Sequence, residues 1–129
     1  MKNYLGRMIV LVNDYEAAAK FYEKNFGFHR LFDTTSPEGE RYLHLGTKGE
    51  NVLGIWLMLA TGEEQQQKVG HQTGGAPLMV IYTSDIIELY QQLIVNKVVI
   101  SKKPMLGDSF RFLHCLDLYG NEIVVVELN

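Results

Sequence analysis

His44 and His114 are the side chains of this sequence best suited to move a proton or to hold a metal ion, since imidazole titrates near neutral pH and is a common ligand. Each lies in a short apolar run, RYLHL and FRFLHCL, that reads as a β-strand. They are candidates for a proton-transfer pair or an off-pattern metal pair, set against the plainer reading of satisfied or solvent-facing histidines. Arg7 opens another apolar run, RMIVLV, and its guanidinium can receive a carboxylate or phosphate through two parallel hydrogen bonds, or sit on a rim paired with Glu122 or a partner chain. Tyr42, Trp56 and Phe112 are either core aromatics or platforms for a flat ligand. Cys115 has the opposite strand parity to His114 and belongs beneath a helix, where a thiol is inert. His29 and His71 read as surface residues. The sequence holds no phosphate-binding glycine loop, no HExxH, no dinucleotide fingerprint and no G-x-S-x-G.

Composition narrows the classes further. A chain of 129 residues with 47% apolar and 21% charged residues has enough material for one domain with a real core. Twelve basic against fifteen acidic residues, a net charge of −3, gives no electrostatic footprint for a nucleic acid. The longest apolar run, Val52 to Ala60, is about half of the roughly 18 residues that a membrane-crossing helix needs. The opening MKNYLGRMIVLVND turns polar too soon to direct secretion, and a lone cysteine cannot form an internal disulfide, so a reducing cytoplasm is the expected setting.

The elements that must position these residues follow a repeated order. Arg7 to Val12 reads as a strand buried on both faces, and Asp14 to Phe26 as a helix, with Asp14 as its cap and Gly27 as its left-handed stop. Phe28 to Asp33, Arg41 to Leu45 and Val52 to Leu59 are strands separated by turn-rich SPEGE and GTKGEN. Thr61 to Pro77 is polar, Gln-rich and Gly-rich without apolar periodicity, and is expected to connect rather than pack. The pattern then restarts with a strand at Leu78 to Tyr82 and a helix capped at Asp85 that carries Ile86, Leu89, Tyr90, Leu93 and Ile94 and stops at a left-handed Asn96. Strands at Val98 to Lys102, Ser109 to Leu116 and Ile123 to Leu128 complete it. The prediction is an α+β chain of tandem βαβββ modules within a single domain: residues 1–60, a connector at 61–77, and residues 78–129. Each sheet leaves one face for its helix and curls the other around a hollow, so function is expected in a cleft between mixed, curved sheets.

The residues of this pattern resemble the vicinal oxygen chelate superfamily, which includes glyoxalases, bleomycin-resistance proteins and extradiol dioxygenases. Val12-Asn13-Asp14, Phe21-Tyr22 and Phe26-Gly27-Phe28 are similar to its V-x-D, F-Y and L-G-F marks, and Asp117 to Ile123 (DLYGNEI) resembles its C-terminal D-P-D-G-N-x-I signature. The likeness spans nearly the whole chain. Enzymes of that family hold a divalent metal at matched strand positions, which here are Arg7, Leu78, Val124 and a site within Ile55-Trp56-Leu57-Met58. None offers a usual donor to a hard or borderline ion, so no metal and no cofactor are expected. Side chains of the same parity as those positions face the cleft by resemblance: Arg7, Ile9, Val80, Tyr82, Val124 and Val126, together with His114 and Phe112. The apolar partners Leu43 and Leu45 leave Tyr42 and His44 for the same side, and Trp56 joins them from the fourth strand.

The expected protein therefore binds a small organic ligand, anionic or aromatic, in an aromatic-lined cleft without a metal, resembling the bleomycin-resistance branch and, like it, a homodimer. Its ligand-binding residues would be Arg7, Tyr42, His44, Trp56, Tyr82, Phe112 and His114, with Arg7 orienting an acidic group. The alternative is a glyoxalase I-like metal-dependent lyase or isomerase with off-pattern ligands among His44, His114, Glu122 and Glu127. A third reading makes the cleft only a dimer interface.

Overall fold

The computed structural model describes residues 1–128, and Asn129, the last residue of the expected second module, lies outside them. The strands and helices are β1 (Arg7–Val12), α1 (Tyr15–Phe26), β2 (His29–Thr35), β3 (Arg41–Gly46), β4 (Gly54–Leu59), α2 (Gly62–Lys68), β5 (Met79–Thr83), α3 (Ile86–Val95), β6 (Ile100–Leu106), β7 (Arg111–Leu116) and β8 (Glu122–Glu127). They form two compact units, Met1–Val69 and Gly70–Asn129, each built on its own four-stranded mixed sheet. The fold is α+β, as the repeated pattern implies.

In the first unit the order is β1-β4-β3-β2, with β1 parallel to β4 and the other pairs antiparallel. Alternation along β3 and β4 buries Leu43, Leu45, Ile55 and Leu57 against α1, while Tyr42, His44, Trp56 and Met58 point to the other face. Helix α1 adds Ala18, Ala19 and the fully buried Tyr22, whose ring stacks on Phe28 at 5.9 Å between centroids. Asp14 caps α1 by accepting from Ala17 N–H, and Gly27 ends it at φ 67°, a conformation that glycine adopts without strain. On the outside, Glu16, Glu23 and Asp33 surround Arg30 and Arg41, and the two guanidinium groups pull Glu16 down to about 2 and hold Asp33 below the usual carboxylate range.

The second unit repeats the order as β5-β8-β7-β6, with β5 parallel to β8. Leu113, Cys115, Ile123 and Val125 are buried, as are Ile86 and Leu93 of α3. Cys115 is thus packed as its parity implies, and burial pushes its thiol up to about 12. Asp85 caps α3 through Glu88 N–H. The stop, however, is not Asn96: that residue keeps φ −81° and donates its N–H to Gln92 O, and Lys97 takes the left-handed turn at φ 61°. The helix ends at Val95, and the left-handed residue comes one position later than expected.

Two other expectations need correcting. The connector contains a helix, α2, whose side chains are not buried, which is why it shows no apolar periodicity. Its signals were electrostatic: Glu63 and Glu64 in the first turn, Lys68 in the last, and Gln65 Oε1 accepting from both Thr61 N–H and Oγ1–H at its start. Strand β6 also continues past Lys102 through Pro104, because an edge strand can leave a proline N unpaired and a register shift absorbs the interruption. The DLYGN segment is a tight turn: Asp117 Oδ1 accepts from the N–H groups of Tyr119 and Asn121, Oδ2 from Asn121 Nδ2, and Gly120 supplies φ 94°. Gly70 packs so closely on Tyr119 O that a side chain there would collide with it.

Candidate functional site

Arg7 has the same parity as Ile9 and faces away from α1, directly across from Gly54 on β4. Gly54 and its cross-strand partner Gly46 leave that part of the sheet bare. A Cβ on Gly54 would stand 2.7 Å from Leu45 O and 2.9 Å from Leu31 Cδ1, so glycine is needed there for the close approach of these neighbours, and the Arg7 stem passes over the same bare stretch, with Cδ 3.4 Å from that point. From there Arg7 Nη1 donates to Gly6 O at 2.7 Å and Val52 O at 3.2 Å, and Nε donates to His44 Nδ1 at 3.1 Å.

That last bond fixes a tautomer. A guanidinium only donates, so Nδ1 of His44 is the acceptor and the imidazole proton sits on Nε2. Burial, and then the neighbouring Arg7 charge, lower the His44 pKa and keep the ring neutral. Nε2 is buried without a hydrogen-bond partner, between rings whose centroids lie 5.3 Å (Phe32) and 5.0 Å (Trp56) away. Tyr42 extends the row, 5.7 Å from Trp56. Phe32 reaches this face through a bulge: Arg30 pairs with Leu45 and Phe32 with His44, so Leu31 is inserted and both Leu31 and Phe32 turn away from α1. At the far end of β4 a cavity of about 430 Å³ is walled by Trp56, Met58, Tyr15, Arg41, Thr61 and Gln65 among others, within the size range of small-molecule sites.

The second unit has a corresponding face. His114 and Phe112 on β7 lie across from Val124 and Val126 on β8, beside Val80 and Tyr82 of β5. His114 Nδ1 lies 3.1 Å from Glu122 Oε2, which also accepts from Ser101 Oγ at 3.2 Å.

The sequence-derived residues therefore divide: Arg7, Tyr42, His44 and Trp56 share one face of the first unit, and Tyr82, Phe112 and His114 one face of the second. Arg7 donates to Gly6 O, Val52 O and His44 Nδ1. Its Nε and Nη1 are committed within its own unit, and Nε braces His44. Sequence reasoning missed Phe32 and Leu31, because a bulge has no periodic signal, and missed the pocket residues Tyr15, Thr61 and Gln65, because they come from helix ends. Gly46 and Gly54, at matched parity on paired strands, were the legible hint of a side chain crossing the sheet.

The chain belongs to the Glyoxalase/Bleomycin resistance protein/Dioxygenase superfamily, whose sequence profile matches residues 4–125. A superfamily member from Sphaerobacter thermophilus superposes with a TM-score of 0.80 at 26% identity, over 98% of each chain. TnmS3, an antibiotic binding protein from Streptomyces sp., gives 0.77 at 22% identity, over 99% of this chain and 98% of its own. A glyoxalase I variant from Zea mays gives 0.75 at 19% identity, over 95% of this chain but 44% of the longer enzyme. The last two likenesses show a shared fold alone.

A divalent metal serves many enzymes of this superfamily, and the donor set here does not fit one. Arg7, Leu78, Val124 and Trp56 stand at or within the implied positions, His44 Nδ1 is occupied by a guanidinium N–H, and among the described residues no three His, Cys, Asp or Glu side chains come together to hold an ion.

Proposed function

We propose that this chain binds a small, flat organic molecule without using a metal, on the face of the first unit that carries Trp56. Trp56 carries the reading, because it belongs at once to the row of rings with Tyr42 and His44 and to the wall of the cavity. Phe32, half exposed, and Tyr42 offer stacking surface beside Trp56. The printed description of TnmS3 as antibiotic binding supports a binding role on this fold, and the poor donor set argues against a glyoxalase-type lyase, which needs a Lewis acid. Exposed apolar side chains on the edge strands, Met8 and Ile9 on β1 and Val80 and Tyr82 on β5, favour a homodimer. Its setting would be the cytoplasm, where the buried Cys115 stays reduced.

Trp56 is the only tryptophan of the chain, so its emission reads the site directly. Titration with matched aromatic carboxylates, amides and amines is expected to quench or shift that emission and to raise the melting temperature with at least one of them. Trp56→Leu should abolish the thermal shift. No response from any compound would overturn the reading, and so would metal retained at one ion per chain through gel filtration, measured by elemental mass spectrometry. Sedimentation velocity tests the dimer.

A further inference from the structure

The bulge that places Phe32 beside His44 recurs at the matching point of the second unit. Ile100 pairs with Cys115 and Lys102 with His114, so Ser101 is the inserted residue and Ser101 and Lys102 both turn to the face of His114. What they bring is different. Facing a carboxylate oxygen, which accepts, His114 Nδ1 is the donor to Oε2 in the neutral ring, and this leaves the Nε2 lone pair free. Ser101 steadies the same carboxylate oxygen. Nε2 of His44 is buried and unpartnered; that of His114 is not among such buried atoms of the described residues, and His114 is only partly buried. Beside it, Lys102 Nζ stands 5.5 Å from the centre of the Phe112 ring, and that ring is 5.8 Å from His114. An oriented imidazole, a carboxylate behind it, an aromatic platform and a free ammonium are the parts of a proton-abstraction site.

We propose that the β6–β8 face of the second unit is a general-base site for aromatic compounds bearing an acidic proton, with His114 Nε2 as the base, Glu122 as its positioning residue and Lys102 as the cation that receives the conjugate anion. The lone pair on Nε2 takes the substrate proton, the electrons of the broken bond pass into the substrate, and the anion so formed lies against the Lys102 ammonium. The imidazolium, paired with Glu122, then returns its proton to solvent or product. Glu122 on β8 and Lys102 on β6 are the charged groups that face the ring, and the other neighbours, Ser101, Phe112 and Val124, carry no charge. The site uses neither the first unit nor Trp56, so it stands or falls apart from the binding reading above.

A nitro-substituted benzisoxazole is the probe. Loss of its ring C–H proton to the base forms the nitrile, breaks the N–O bond and releases a coloured cyanonitrophenolate. The intact protein is expected to accelerate this above buffer. His114→Gln should reduce the increment at least about tenfold, and Glu122→Gln and Lys102→Met about threefold to tenfold each. His71→Gln, on an exposed surface loop, should leave it unchanged. Nitrogen NMR of labelled histidine separates positioning from mere structure: His114 should hold its proton on Nδ1 in the native protein and shift toward the other tautomer in Glu122→Gln. A native rate equal to that of folded His114→Gln, or a His114 ring protonated on Nε2 alone, overturns the proposal. Should His114→Gln fail to fold, the surface variant Lys102→Met decides: a rate identical to native also overturns it.

Discussion

The two units share a strand order, a capped helix, a bulge in the second strand and a histidine at one register position, yet the two histidines are wired oppositely. In the first unit the edge strand contributes Arg7, and the facing position on the next strand is Gly54, empty enough for the guanidinium to reach His44. In the second unit the residue just before the edge strand is Leu78, whose N–H is bonded to Glu122 O, and the Glu122 side chain reaches His114. A cation on one side makes Nε2 a donor, and a carboxylate on the other makes Nε2 an acceptor. The bulges follow suit, with apolar Leu31 and Phe32 against polar Ser101 and Lys102. The scaffold fixes where an imidazole stands, and the residue across the neighbouring strand decides what it can do.

The largest expected effect comes from filling the bare stretch of the first sheet at Gly54. Gly54→Ala puts a Cβ 2.7 Å from a backbone oxygen and 2.9 Å from Leu31 Cδ1, and the backbone atom cannot swing aside. A loss of about 2–3 kcal/mol in urea unfolding is expected, at the upper part of the range for overpacking. Gly6→Ala, where a Cβ meets open space, should be near neutral. Equal costs at the two glycines would mean that the close contacts with Leu45 O and Leu31 are not what requires Gly54.

Arg7→Met keeps the stem and removes the donors. Gly6 O, Val52 O and His44 Nδ1 then lose a partner, for an expected cost of about 1–2 kcal/mol. The sharper reading is spectroscopic: nitrogen NMR should show the His44 proton confined to Nε2 in the native protein and distributed over both nitrogens in the variant. A native His44 already present in both forms would erase the contrast with His114.

Acid should act on the first unit in two steps. His44 has a lowered pKa in the fold, so the unfolded chain binds the extra proton first, and stability is full above the ordinary histidine value of 6.5 and lost as pH falls below it toward the folded value. The Glu16 and Asp33 carboxylates are lowered as well, and their contribution fades at more acid pH, below 4.5 for Glu16. Melting temperature against pH should therefore fall in two stages, the upper one missing in His44→Leu. A single stage beginning below pH 5 would show that His44 is solvated.

Much of this was written in alternation and spacing. Leu43 and Leu45 against Tyr42 and His44, and Leu113 and Cys115 against Phe112 and His114, give the two faces of β3 and β7 by parity alone. Asp14, Gly27 and Asp85 are local signals that need no tertiary context. The bulges are different, since an inserted residue shows itself only when the partner strand is known, and so Phe32, Ser101 and Lys102 were invisible as neighbours of the histidines. Helix α2 escaped because it buries nothing. The charge partners escaped because Arg7 and Glu122 act diagonally across strands whose pairing no sequence spacing states.

The smallest effect is also the one that separates architecture from chemistry. The His114 and Glu122 side chains keep about a fifth and a quarter of their surface, and a partly exposed pair of this kind contributes little to folding. Glu122→Gln should lower stability by only about 0.5 kcal/mol, well below Arg7→Met, because the amide still bonds to Ser101 and the imidazole can turn to water. If chemical denaturation instead shows a loss as large as that of Arg7→Met, the carboxylate is a structural brace like the arginine, and the two units differ in sign but not in purpose. A small loss with a changed His114 tautomer leaves the second histidine free to serve as a base while the first stays locked in place.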